Sequence, residues 1–171
     1  MQDKYYYLIA SLKYLKFGDT AFPTELEFLS ECEKWIEEKD LAIINNSDLG
    51  YDSIKNNNPE TVKDWKEMNS LLRSELAGIR KARKRDLHEK YHGSIAKIFE
   101  EQTPLLMEKT FEHIRWNFIE EKEPEHNFDL EAVILYFLKI RILTRLAIFN
   151  KEKGKEIFEK ISEGKDEQSN G

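Results

Sequence analysis

His88-Glu89-Lys90-Tyr91-His92 is the stretch whose residue types and spacing point most directly to chemistry. On a helix, imidazoles at i and i+4 share a face and can grip Zn²⁺, with Glu89 activating a bound water. The surroundings argue the other way. Lys90 sits between the two ligands, and Arg80-Lys81-Ala82-Arg83-Lys84-Arg85 places five cations just upstream, which opposes a dication. Glu112, His113 and His126 are loose candidates for a third ligand, and none comes with a matching motif. The five residues therefore read as a solvated helix end, with a zinc-dependent hydrolase as the rival reading.

The basic run itself could meet phosphates or an acidic partner. It lacks interleaved aromatics and belongs to an acidic chain, so a solvated or protein-contacting face is expected and nucleic acid is not. Tyr5-Tyr6-Tyr7 is a different kind of signal, because tyrosine brings apolar area with a polar tip and is enriched at interfaces. Three successive tyrosines cannot all point one way, so packing and partner contact are both expected of them. Cys32 lies among acids, with no cation to lower its pKa, which speaks against a catalytic thiolate. There is no Gly-rich phosphate loop, nucleophile elbow or dinucleotide fingerprint. No catalytic residue, metal or cofactor is expected.

These residues must be positioned by helices. Thr24 and Glu27 form a capping box that opens a helix burying Leu26, Leu29, Trp35 and Ile36. Residues 5–16 fit helix and strand equally. Asn58-Pro59-Glu60 starts a long helix reaching about residue 91, in which Val62, Trp65, Asn69, Leu72, Leu76, Ile79 and Arg83 recur at heptad spacing. At 1.5 Å per residue that rod would run roughly 50 Å. Pro104 opens another helix, with Met107, Phe111, Ile114 and Phe118 on one face and Trp116 on a different side. Asp129 caps a helix of residues 130–149, apolar nearly all round and therefore central. The fold class is all-α, a bundle built around the long helix and this buried one.

Composition agrees. The 171 residues hold seven Gly and four Pro, few breakers for a turn-rich β fold, and 35 % are charged. With 27 Lys and Arg against 33 Asp and Glu, the net charge is −6, which suits neither a nucleic-acid coat nor a polyanion binder. The length fits a single helical domain over 1–163 with a frayed tail at 164–171. Residues 130–149 have the length of a membrane span, but Lys139, Arg141 and Arg145 interrupt them, at a cost of several kcal/mol each in lipid. No partner for these cations is evident from the sequence. A cytoplasmic protein without a signal peptide is expected.

Several blocks taken together resemble a bacterial family, domain of unknown function 2764. Tyr5-Tyr6-Tyr7-Leu8-Ile9-Ala10-Ser11-Leu12 is similar to its N-terminal signature, and Leu72 to Ala77 with Arg80 to its central helix. Pro104-Leu105 through Arg115-Trp116, then Phe128-Asp129 with Tyr136, Leu138-Lys139, Ile142-Leu143 and Arg145, continue the likeness in family order. Where the family usually has Pro after the Ser-Leu pair, this chain has Lys13, and its 41–58 stretch is short. Members are encoded among the genes of bacterial V/A-type ATPases that lack an obvious component coupling shaft to ring. The resemblance thus implies a non-catalytic subunit or accessory protein, linking the central rotor shaft to the membrane ring. It would be peripheral to the membrane, on the inner face, through protein contacts alone. Tyr5, Tyr6, Tyr7, Arg73, Arg80 and Arg83 would then be the partner-binding residues, the arginines setting register by charge pairing. A homodimeric adaptor using the heptad seam on itself is the remaining alternative.

Overall fold

A computed structural model describes residues 3–48, 58–84 and 104–148. Within them the chain forms α1 (Asp3–Ser11), α2 (Glu25–Glu33), α3 (Glu38–Asn46), α4 (Glu60–Lys84), α5 (Pro104–Lys122), a single 3₁₀ turn (Glu123–Glu125) and α6 (Leu130–Ile148). No strand occurs among the described residues, so the fold is all-α. Residues 5–11, ambiguous by pattern, are helical. Leu8 on that helix is fully buried, and Gly18 turns the chain beyond it with a positive φ of 82° that favours glycine.

The caps explain where helices begin. Thr24 Oγ1 accepts the Glu27 amide while Glu27 accepts the Thr24 amide, the full reciprocal box. Asp129 Oδ1 accepts the Ala132 amide at 2.8 Å and so opens α6. That helix packs against each of the other five. Val133, Ile134, Leu135, Phe137, Leu138, Ile140, Ile142 and Leu143 are buried all round it, each worth about 1.5–3 kcal/mol when sealed from water.

Two expectations about burial change. On α2 the buried residues are Phe28 and Cys32, followed by Ile36 in the turn beyond it, while Leu26 is 80 % exposed and Trp35, in the same turn, is half exposed. Phe28 and Cys32 are i, i+4 neighbours on one face of the helix, and cysteine is as readily buried as an aliphatic residue. On α5, Phe111, Trp116 and Ile119 are all buried, so both sides of the helix meet neighbours.

The α4 seam is real and is spent inside the chain. Val62 and Trp65 join the main core, and Leu72 and Ile79 pack with Phe111 in a smaller cluster. Among the described residues, the apolar seam positions Val62, Trp65, Leu72 and Ile79 are thus buried within the chain. The 25 residues of α4 span about 38 Å; the expected continuation to residue 91 lies outside the described residues, as do the tail and the motif at 88–92.

Candidate functional site

Helix α1 carries the tyrosines, and its turn over the core separates their roles. Leu8 pins the helix inward. Tyr5 lies half-buried and donates its hydroxyl to Asp40 Oδ2 at 2.8 Å, tying α1 to α3. Tyr6 and Tyr7 face outward, 50 % and 58 % exposed. Two further aromatics meet them there. Tyr7 stacks on Trp35 at 5.7 Å between centroids, and Tyr6 lies 4.8 Å from Phe128, with Tyr6 and Tyr7 edge-on at 5.7 Å. A continuous aromatic stripe therefore joins α1, the α2–α3 corner and the residue before the α6 cap. Trp35 donates its indole N–H to Glu31 at 3.3 Å, which fixes the ring on the surface.

Of the predicted contact residues, Tyr6 and Tyr7 are thus brought together, and Tyr5 serves as their anchor. Arg73 and Arg80 are exposed on α4, a different helix from the tyrosines. The Arg83 side chain lies outside the described ones, as do His88, Glu89 and His92. Trp35 and Phe128 join the stripe although the sequence reads neither as a surface contact, because it is assembled from segments far apart along the chain.

A second constellation answers the question of the α6 cations. Lys139 is almost fully buried and pairs with Glu123 at 2.6 Å beneath the Trp116 ring. Arg141 pairs with Glu25 at 2.6 Å and Asp48 at 3.2 Å. Arg145 pairs with Asp48 at 2.9 Å and holds both oxygens of Glu112 at 3.0 Å, a bidentate fork. Arg115 reaches Glu112 at 2.6 Å and Asn69 on α4 at 2.7 Å, and Trp65 donates to Asp48 at 3.2 Å. Burial works against the Arg145 charge, but Asp48 and Glu112 outweigh it and raise its pKa overall. For Arg115 burial wins despite Glu112, with Arg145 adding to the fall. Such a network fixes the relative placement of five segments; every member has a partner, and it presents no reacting group.

The family described as "Protein of unknown function (DUF2764)" matches residues 74–165, more than half of the chain. The chain belongs to the DUF2764 family. No curated protein and no solved structure matches it. The DUF2764 match takes in Glu112, Arg115, Lys139, Arg141 and Arg145, while their partners Glu25 and Asp48, and the tyrosines of α1, lie before it.

Other places among the described residues also have the form of a ligand site. His126, Asp129 and Glu131 bring one nitrogen and two carboxylates within 4.8 Å of one another. His126 Nδ1 is 3.0 Å from Asp129 and 3.1 Å from Glu131, and its Nε2 is 3.3 Å from Thr61 Oγ1. The same carboxylates accept the Ala132 and Thr61 amides at the starts of α6 and α4. Two positive helix ends converge here, which favours the carboxylates and disfavours a cation, so the group works as a tie between helix starts. A cavity of about 300 Å³ lies between α1 and α6, bordered by Leu12, Leu15, Tyr136 and Lys139. Two of its polar groups are engaged, Lys139 with Glu123 and the Tyr136 hydroxyl with the Lys13 carbonyl at 2.8 Å. Cys32 is fully buried. Burial, then the charges of Glu31 and Glu33, push its thiol up to about 12, the reverse of a nucleophile's requirement.

Proposed function

We propose that this DUF2764 chain is a non-catalytic, partner-binding component of a V/A-type ATPase, one that links the rotor shaft to the membrane ring. The observation that carries the partner-binding half is the stripe of Trp35, Tyr7, Tyr6 and Phe128, joined ring to ring yet left on the surface. Membership of DUF2764, with the likeness to proteins encoded beside such ATPases, supports the choice of machine. A part that transmits torque needs a stiff body and a large contact face rather than a pocket. The charge network that ties α6 to α2, α5 and the end of α3 supports stiffness of that kind, since parting α5 from α6 would strip the buried Glu112 of its Arg145 partner. No described helix is long and apolar enough to cross a membrane, in keeping with attachment through protein contacts.

The test is an affinity pull-down of the tagged chain from membranes of its own source, with mass spectrometry of what is retained. Recovery of stalk and ring proteins of the ATPase, weakened when Arg73 and Arg80 are reversed in charge, is the expected result. Recovery of none from a preparation whose ATPase is intact would remove the reading.

A further inference from the structure

We infer that the aromatic stripe is a docking site for a basic, amphipathic helix of a partner protein, an inference that rests on the partner-binding reading above. Four rings about half exposed leave on the order of 400 Å² of contiguous aromatic surface, as large as the biggest apolar patch on a typical monomer. Most surface aromatics are scattered; these touch one another in a chain.

Charge decides the chemistry of the occupant. Residues 31–40, which carry Trp35, hold five acids and two lysines. Both lysines already pair within that segment, Lys34 with Glu31 and Lys39 with Glu37. Glu125 and Asp129 flank Phe128 on the other side. The ring faces add their own negative quadrupole, which attracts Arg and Lys. An anionic lipid surface or a nucleic-acid backbone would be repelled here, whereas arginine can stack on Tyr7 or Tyr6 and meet a carboxylate at its edge.

The spacing suits a helix. Successive ring centroids are 4.8–5.7 Å apart, close to the 5.4 Å pitch of an α-helix. Side chains at i, i+3 or i+4, and i+7 of a docked helix would therefore fall on successive rings.

The chain carries its own reporter. Of its three tryptophans, Trp65 and Trp116 are 1 % exposed and Trp35 is 41 % exposed, so a change in exposed-indole emission reads the stripe. The full chain is titrated with two helical peptides of equal length and identical leucine face, one with Lys and Arg on the polar face and one with Glu. The expected result is saturable, blue-shifting binding of the basic peptide at least tenfold tighter than the acidic one. That binding should be weakened at least tenfold in a Tyr6→Ser, Tyr7→Ser double variant, with an unchanged far-UV spectrum verifying its fold. Equal binding of both peptides, or basic-peptide binding that the double variant keeps, overturns the inference. So does preferential binding of phosphatidylserine vesicles or single-stranded DNA. Because the readout uses synthetic peptides, it can fail while ATPase proteins are still recovered, and it can succeed while they are not.

Discussion

Arg145 on α6 reaches Asp48, just past the end of α3, at 2.9 Å across a separation of 97 residues. Arg141, one turn earlier, meets the same carboxylate oxygen. One acid thus bridges two cations in the helix that every other described helix packs against, with Glu25 and Glu112 supplying further counter-charge from α2 and α5.

Glu112→Ala is expected to destabilise the chain by about 2–3 kcal/mol, because it leaves Arg115 and Arg145 facing each other in a part-buried site where Asp48 remains as the acid paired with Arg145. Arg73→Ala on exposed α4 should stay within about 0.5 kcal/mol. Urea denaturation followed by circular dichroism compares the two, and similar losses would show that the network does not hold the helices together.

How much of the fold is readable in advance depends on the range of the interaction. The capping box at Thr24, the Asp129 cap and the apolar run of α6 are local, and the structure has them where the sequence placed them. The inward face of α2 departs from expectation because Leu26 outranks Cys32 in hydrophobicity, while Cys32 is the one in helical register with Phe28, and Trp35 lies in the turn beyond the helix. The counter-ions of Lys139, Arg141 and Arg145 are invisible in the sequence, since Glu25 and Asp48 come from distant segments and long-range charge pairing leaves no periodicity. Glu112, three residues before Arg115, is the one local hint. Tyr6 and Tyr7 stand out by residue type, and both lie on the surface. Trp35 reads as core by hydrophobicity alone, and Phe128 stands out only through the family likeness.

Alkaline pH should lower stability in a way that Cys32 shapes. Its native thiol is pushed from 9.0 to about 12 and the Tyr136 hydroxyl from 10.0 to about 12, both by burial first. Above pH 9 the unfolded chain sheds the thiol proton while the folded chain keeps it, so stability is full below that point and falls as pH rises toward 12. The slope from the thiol approaches about 1.4 kcal/mol per pH unit. Cys32→Ala should lose stability less steeply between about pH 9 and 11. Parallel curves for the two proteins would contradict the assignment, as would rapid labelling of native Cys32 at about pH 8.

Fluorescence quenching tests the sign of charge around Trp35. Its setting among Glu31, Glu33, Glu37 and Glu38 concentrates cations and repels anions. Caesium should quench the exposed component better than iodide at low ionic strength, with the difference shrinking as salt rises. Stronger iodide quenching would show that the stripe is not an acidic face.

Metal analysis separates the non-catalytic reading from the hydrolase one. Protein purified without added zinc is expected to carry well under one equivalent. Near-stoichiometric zinc that disappears in His88→Ala and His92→Ala would make those imidazoles ligands and reverse the ranking.

The measurement closest to the centre of this reading is the membrane pull-down run side by side with the Tyr6→Ser, Tyr7→Ser double variant. The folded wild-type chain should retain stalk and ring proteins of a V/A-type ATPase, and the equally folded variant should lose them. Equal retention by both proteins would deny the stripe its role, and retention of no ATPase protein by either, with the ATPase intact in the extract, would contradict the proposed function itself.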